Sequence, residues 1–362
     1  MSEEIFYRQE ERRSSIKMKA VAKTRKEPGL QVIDTDPDKI SENEILLRMK
    51  TASICGSDLG FYNYTPAYQK FAKVPTIMGH EFAGEIAEVG DAVRGYSVGD
   101  RVSVESVLYC GKCKFCRSGA TNICQSFTVF GMHRNGAFAE FVSVDQKYLH
   151  KLPDEVSFLE AGVVEPLSVI VNAFEDVSAP IRSDSTACVI GPGPLGLFSA
   201  EVLRAKGVRD LLLMGIAIDE YRLELARKKL SFDAMNTEFE VSNDKMKGMT
   251  DGYGFDTVVV AAGAPAALKS AIPLVSKGGQ IILIGIFPED VALPASDLVR
   301  RQISMRGSYG SAWKHYEEAI RLLKQKLVRA DAIVSHQFNL EQGEEAFQMA
   351  KAKTGSKVQF KN

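Results

Sequence analysis

The stretch Thr186-Ala187-Cys188-Val189-Ile190-Gly191-Pro192-Gly193-Pro194-Leu195-Gly196 decides the fold. Its first five residues are almost all apolar, which is typical of a strand buried on both faces, and residues 197–206 favour a helix. Glycines 191, 193 and 196 permit a tight turn between the two. Such a turn presents backbone amides and the positive end of a helix dipole, which suit a dinucleotide pyrophosphate. We therefore predict that Gly191, Gly193, Pro194, Leu195 and Gly196 bind a dinucleotide cofactor.

The residues that follow alternate between strand and helix patterns. Strands are predicted at 210–214, 256–261 and 280–285, and helices at 219–229 and 265–276. This alternation indicates a doubly wound parallel sheet, so the glycine turn lies in the context that its function requires. We assign residues 171–312 to this Rossmann domain and expect the strand at 280–285 to be its exposed edge.

The first half of the chain has a different pattern. Short alternating segments at 44–50 and 81–104 are interrupted by Gly-Asp turns at 90–91 and 99–100, which indicates an antiparallel, barrel-like β domain over residues 18–170. An amphipathic helix at 316–326 and a strand at 357–360 are expected to return to that domain, so we assign 313–362 to it. Residues 1–17 mix charges without periodicity and are expected to be an extension, or alternatively a segment that packs on a neighbouring subunit.

Thiol, imidazole and carboxylate side chains recur in two short motifs of the β domain. These are Cys55-Gly56-Ser57-Asp58 and Gly79-His80-Glu81. They are ligand types that zinc prefers, and loops of a stiff β scaffold hold such ligands well. Glu165 lies in an apolar run, where a carboxylate is costly unless it is paired or binds a metal. We predict a catalytic zinc site; the alternative is a buried thiol, a core histidine and an ordinary glutamate.

A second cysteine motif follows in a loop segment. Cys110, Cys113, Cys116 and Cys124 lie close together without a histidine or carboxylate among them. Four thiolates match a closed structural zinc site that orders the loop. Lys112, Lys114 and Arg117 would also suit a nucleic-acid-binding zinc ribbon, but three basic residues form a thin patch.

Composition and charge limit the possible partners. The chain has 362 residues, with 45 Lys and Arg against 46 Asp and Glu, which gives a formal charge of −1. A neutral chain gives no sign of binding to nucleic acid or to anionic membranes. A length above 300 residues suggests two domains. We expect a cytoplasmic protein with reduced cysteines, because no apolar signal segment begins the chain.

Together these motifs resemble the zinc-dependent medium-chain dehydrogenase/reductase family, from Met18 to Asn362. The resemblance rests on Cys55 to Asp58, on Gly79-His80-Glu81-Phe82-Ala83-Gly84-Glu85-Ile86-Ala87-Glu88-Val89-Gly90, on Val98 to Val102, on the four-cysteine loop, on Glu165-Pro166 and on Gly191 to Gly196. It implies an α/β protein with a GroES-like β-rich catalytic domain and a Rossmann domain. Glu81, together with Glu165-Pro166-Leu167-Ser168, is similar to the polyol, sugar and threonine dehydrogenase branches.

The resemblance also implies roles for individual residues. Cys55 and His80 would bind catalytic zinc, with Glu165 beside the metal and Glu81 either a ligand or a partner of one. Ser57 would hydrogen-bond the substrate hydroxyl and pass its proton outward, and Asp58 would orient His80. With the four-cysteine loop this gives two zinc ions per chain, and the family suggests homodimers or homotetramers.

Two positions depart from the family pattern. Gly60 stands where many members have a histidine that completes the proton relay, so the proton must leave through water or another group. Gly215 stands at the end of the second strand, where a carboxylate usually binds the ribose of NAD. Asp219 could supply that carboxylate, and Arg222 lies close behind it; the absence of a carboxylate at 215 favours NADP over NAD.

The function expected from these features is reversible oxidation of a secondary alcohol, such as a polyol, sugar or related hydroxylated metabolite, by hydride transfer to NAD or NADP. Oxidation resembling that of threonine 3-dehydrogenase is one alternative. A noncatalytic dinucleotide sensor or zinc-ribbon binding protein is another, but neither needs an open metal site.

Overall fold

The computed structural model describes residues 17–175, 177–238 and 243–362, so the extension predicted at 1–17 lies outside the described residues apart from Lys17. The strands are β1 (Met18–Lys23), β2 (Gln31–Thr35), β3 (Glu44–Ser53), β4 (Thr76–Ile77), β5 (Glu81–Val89), β6 (Arg101–Val104), β7 (Val107–Leu108), β8 (Thr128–Val129), β9 (Phe141–Asp145), β10 (Leu149–Lys151), β11 (Thr186–Ile190), β12 (Asp210–Gly215), β13 (Asp233–Asn236), β14 (Phe255–Val260), β15 (Val275–Leu283), β16 (Ser304–Gly307), β17 (Val334–Phe338) and β18 (Lys357–Lys361).

The α-helices, numbered in chain order, are α1 (Gly56–Tyr62), α2 (Pro66–Gln69), α3 (Lys114–Arg117), α4 (Phe158–Ala161), α5 (Val164–Ala173), α6 (Pro194–Ala205), α7 (Glu220–Lys228), α8 (Asn243–Thr250), α9 (Pro265–Leu274), α10 (Ala295–Arg300), α11 (Trp313–Lys324), α12 (Ala330–Ile333) and α13 (Gly343–Ala352). Among the described residues, no helix is long and apolar enough to cross a membrane.

The cofactor half contains a six-stranded parallel sheet in the order β13-β12-β11-β14-β15-β16. This is the Rossmann strand order, and it confirms the predicted fold class. Along β11, Ala187 and Val189 join the apolar cluster on one face, and Cys188 and Ile190 join the cluster on the other. Both faces of the strand are therefore covered, which is why its sequence is an almost continuous apolar run.

The expected position of the sheet edge is wrong. The strand predicted at 280–285 overlaps the end of β15, which pairs with β14 on one side and with β16 on the other. The edge is β16, where Ser304, Met305 and Arg306 are only half-buried and Gly307 is exposed. The pattern of β16 is hard to recognise in the sequence because the strand is short and lacks an apolar run. The sequence therefore places the edge at the preceding strand.

The other half is built around β3, whose neighbours are β5, β9 and β18. Its seven-stranded sheet has the order β10-β6-β5-β3-β18-β17, with β9 also paired to β3. Gln359 of β18 lies opposite Ser53 of β3, so the strand expected at 357–360 pairs with the β-rich half. The domain bounds 18–170, 171–312 and 313–362 remain a prediction.

Candidate active site and metal centres

The ends of β3 and β5 bring the two metal-binding motifs together. Ser53 pairs with Glu81, so the chain that leaves β3 towards Cys55 passes the chain that enters β5 through His80. Gly79 has φ +95°, a conformation that favours glycine, and a Cβ there would lie 2.3 Å from the Phe138 ring. The turn at Gly79 therefore places His80 and Glu81 beside Cys55.

Ligand atoms of Cys55, His80 and Glu81 lie within 4.8 Å of one another. Cys55 precedes the first turn of α1, and its backbone N–H donates to the Asp58 carboxylate at 2.9 Å. The other Asp58 oxygen lies 3.4 Å from His80 Nδ1, and the Asp58 side chain is fully buried. His80 Nε2 lies 3.3 Å from Ser57 Oγ. Asp58 thus orients the imidazole so that Nε2 faces the group of ligands.

The electrostatics of this group favour a cation. Burial lowers the pKa of His80, but the charge and hydrogen bond of Asp58 outweigh it and hold that pKa well above its usual value. A thiol, an imidazole nitrogen with its partner on the far side, and a carboxylate are a donor set that suits zinc. The residues present therefore fit a zinc ion.

The two glutamates are placed differently. Glu81 Oε2 forms an ion pair with Lys357 Nζ, and both side chains are buried. Glu165, on α5, is not part of the group within 4.8 Å; its Oε1 accepts a hydrogen bond from Ser106 Oγ at 2.7 Å. Burial, followed by the charge of Glu81, raises the pKa of Glu165 to about 7. The geometry therefore favours Glu81 over Glu165 as the third ligand.

The four-cysteine loop forms a second compact group. The sulfur atoms of Cys110, Cys113, Cys116 and Cys124 lie within 4.8 Å of one another. The Cys113 sulfur lies 3.5 Å from that of Cys116 and 4.0 Å from that of Cys124. Backbone amides of Cys116 and Gln125 lower the pKa of Cys113 to about 6. Four converging sulfurs without an open position match a structural zinc site.

In the turn between β11 and α6, the backbone conformation or a close contact requires glycine at two positions. Gly191 has φ +99°, and a Cβ on Gly196 would lie 1.9 Å from the Gly191 carbonyl oxygen. A Cβ on Gly193 would meet only Arg222, at 4.0 Å. Pro194 is the first residue of α6, where a missing N–H costs nothing. The space beside Gly193, at the N-terminus of α6, suits a pyrophosphate.

Gly215 does not present open space to a ribose. It is buried at the end of β12, and a Cβ there would lie 2.9 Å from Pro192 and 3.2 Å from Asp219. Asp219 is itself buried; its Oδ1 lies 3.3 Å from Lys353 Nζ and 4.0 Å from an Arg222 nitrogen. Arg222 Nε also donates to the Gly355 carbonyl at 3.0 Å. One carboxylate and two cations therefore lie beside the glycine turn.

Three residues near the metal-binding group had not been predicted. Lys357 comes from β18, and Tyr68 and Tyr309 lie where the charges of Cys55 and His80 act on their hydroxyls. The Tyr68 ring occupies the space beside Gly60, because a Cβ on Gly60 would lie 2.3 Å from Tyr68 Cε2. The only signal in the sequence was the glycine itself, which leaves room for another side chain.

The chain is similar to known dehydrogenases along almost its whole length. Residues 41–154 match the alcohol dehydrogenase GroES-like domain, and residues 194–325 match the zinc-binding dehydrogenase domain. It is 32% identical over 341 residues to an L-threonine 3-dehydrogenase of Colwellia psychrerythraea, covering 94% of this chain and 98% of that protein.

Solved structures give the same picture. A 2R,3R-butanediol dehydrogenase of Bacillus subtilis is 27% identical with a TM-score of 0.85, covering 95% of this chain and 99% of the other. A short chain alcohol dehydrogenase of E. coli CFT073, complexed with NADH, is 27% identical with a TM-score of 0.86, covering 96% and 99%. Fold, donor set and sequence agree, and the chain belongs to the zinc-dependent medium-chain dehydrogenase/reductase family, which oxidises alcohol hydroxyls with NAD or NADP.

Proposed function

We propose that this protein oxidises a secondary alcohol that carries further polar groups, such as a polyol, a sugar or a related hydroxylated metabolite. The observation that supports this proposal is the convergence of Cys55, His80 and Glu81 beside Ser57, in a chain that also carries the glycine turn at Gly191. The similar butanediol dehydrogenase acts on a vicinal diol, as its name states.

We assign the roles as follows. When bound by Cys55, His80 and Glu81, a zinc ion supplies a Lewis acid that lowers the pKa of the substrate hydroxyl. Ser57 Oγ, which lies 3.3 Å from His80 Nε2, accepts the substrate proton and gives up its own hydroxyl proton to water. Asp58 holds His80 in one orientation through Nδ1, and Glu165 lies behind the group with Ser106. Gly60 has no side chain to carry the proton onward.

The cofactor is held at the other half of the site. Backbone amides at the N-terminus of α6 bind the pyrophosphate, and Asp219, Arg222 and Lys353 surround the adenosine ribose. Asp219 would repel the 2′-phosphate of NADP, whereas Arg222 and Lys353 would attract it, so these three residues bear on the preference that Gly215 alone was expected to shift towards NADP.

Threonine oxidation is a second candidate, because the similar Colwellia protein is an L-threonine 3-dehydrogenase. Such a substrate needs partners for its carboxylate and ammonium groups as well as for its hydroxyl. We also propose that the chains form homodimers or homotetramers and that the protein works in the cytoplasm, where the thiols of its two cysteine-bearing sites stay reduced.

The decisive experiment follows the absorbance of reduced nicotinamide with NAD and with NADP across polyols, aldoses, simple secondary alcohols and L-threonine. Turnover of at least one alcohol, lost in a Cys55→Ser variant that still binds NADH, is the expected result. NADH binding by the zinc-loaded wild type without turnover of any alcohol would favour the noncatalytic dinucleotide sensor.

A further inference from the structure

Tyr68 packs on the face of α1 that also carries Ser57, the candidate proton acceptor. Ser57 and Gly60 are three residues apart on α1, so they are neighbours on one helix face, with about 5–6 Å between Cβ positions. A Cβ on Gly60 would lie 2.9 Å from Tyr68 Cζ, the ring carbon that bears the hydroxyl. The Tyr68 phenol therefore lies about one helical turn from Ser57, close enough to the ligand group for the charges of Cys55, Asp58 and His80 to act on it.

Aromatic neighbours fix the ring. Its centroid lies 6.2 Å from that of Phe61, in a stacked arrangement, and 5.3 Å from that of Phe71. Tyr68 is half-buried, and among the described residues no hydrogen bond involves its hydroxyl. A tyrosine whose ring is packed but whose hydroxyl lacks a partner can use that hydroxyl for a ligand.

The hydroxyl stays protonated beside the ligand group. Burial raises the pKa of Tyr68 well above its usual value, and the negative charges of Cys55 and Asp58 raise it further. At neutral pH the phenol is therefore a hydrogen-bond donor to an oxygen of the substrate. Tyr309 lies near the same charges, since His80, Glu165 and Cys55 all act on it.

We propose that the Tyr68 hydroxyl donates a hydrogen bond to the oxygen on the carbon next to the reacting carbinol, and so selects vicinal diols and polyols over simple secondary alcohols. This inference rests on the proposed function, because it assumes that an alcohol binds at the ligand group. Gly60 contributes to the same selectivity, because its missing side chain leaves the space that the Tyr68 ring occupies.

The test compares Tyr68→Phe with wild type on butane-2,3-diol and on butan-2-ol. Phenylalanine keeps the ring contacts and removes only the hydroxyl. We expect kcat/KM for the diol to fall about tenfold or more, the effect of one lost hydrogen bond, and kcat/KM for butan-2-ol to change less than about twofold. The dissociation constant of the diol from the enzyme–NADH complex, measured by calorimetry, should rise by a similar factor.

Two further variants separate the hydroxyl from the packing. Gly60→Ala pushes the Tyr68 ring aside, so it should reproduce the selective loss on the diol. Tyr64→Phe removes a hydroxyl from a nearby tyrosine whose ring lies under Lys23 Nζ, and kcat/KM for both substrates should be unchanged. Equal loss on both substrates in Tyr68→Phe, or no loss on either, would overturn the proposal. Failure of wild type to turn over any alcohol would instead refute the proposed function.

Discussion

Lys357 and Glu81 form an ion pair inside the protein, with side-chain exposures of 3% and 1%. Lys357 also donates to the Ile54 carbonyl oxygen at 3.1 Å, one residue before Cys55. Burial lowers the pKa of Lys357, but the charges of Glu81 and Cys55 outweigh it and raise that pKa, so the lysine stays charged. A fixed cation therefore balances the anionic ligand group.

This pair gives the first prediction. Lys357→Met leaves Glu81 as a buried charge without its cation, so the metal-free protein should lose about 3–5 kcal/mol of unfolding free energy. Zinc would replace the missing positive charge, and the metal-loaded variant should lose clearly less. Urea unfolding of both forms measures this, with the exposed Lys361→Met on the same strand as control. Adding Glu81→Gln to Lys357→Met should restore most of the unfolding free energy of the metal-free protein. Equal losses of unfolding free energy with and without zinc would contradict this role of the ion pair.

The two metal centres should differ in what they support. Elemental analysis of freshly purified protein should give about two zinc ions per chain. Cys113→Ser should lower both the zinc content, to about one, and the melting temperature, because that site orders a loop. Cys55→Ser should also hold about one zinc ion, yet it should lose turnover while its melting temperature changes little. Wild type with one ion or none would count against the assignment.

Glu165 predicts a dependence of stability on pH. Its pKa is about 7 in the folded protein, against 4.5 as the ordinary value, because burial and Glu81 disfavour its charge. The folded state therefore binds more protons between these values, so the stability of the metal-free protein should fall as the pH rises from about 4.5 to 7, by about 2–4 kcal/mol from this group. Glu165→Gln should remove most of that slope. A slope that persists in the variant would assign the effect to other groups.

The cofactor preference should depend on Asp219 rather than on Gly215. A carboxylate repels the 2′-phosphate of NADP, whereas Lys353 attracts it, and both lie beside the glycine turn. Asp219→Asn should strengthen NADPH binding about tenfold relative to NADH, and Lys353→Met should do the opposite. Fluorescence titration of both reduced cofactors measures this, with Asp210→Asn at the exposed start of β12 as control. Gly215→Asp would clash with Pro192, so its effect on preference could not be separated from packing.

Association should involve the edge strand β16. Its outer side has no partner among the described residues, and Val299, on helix α10 just before β16 in the chain, is 76% exposed. Unpaired strand edges and apolar surface favour pairing with a second copy. Light scattering at micromolar concentration should give a dimer or tetramer mass, reduced by Val299→Glu but not by Tyr253→Glu, a substitution at an 81% exposed residue between α8 and β14. A monomer mass for wild type would refute the oligomer.

The sequence predicted those parts of the site whose residue types stand together in short motifs. Cys55, His80 and Glu81 could be found because thiol, imidazole and carboxylate mark metal chemistry wherever they occur. Lys357 could not, because its contact with Ile54 spans 303 residues and depends on the register of β18 against β3. Tyr68 was missed because only the folded chain brings its ring, on α2, back against Gly60.

The position of Lys357 on β18 has a consequence for the order in which the protein can mature during synthesis. The six strands of the Rossmann sheet lie between Thr186 and Gly307, so that sheet can assemble while later residues are still in the ribosome. The ligand group belongs to an earlier part of the chain, yet its balancing cation and the strand beside β3 arrive last. A nascent chain can therefore form its dinucleotide fold before its metal centre is complete, because the lysine that balances the ligand group is translated only with β18.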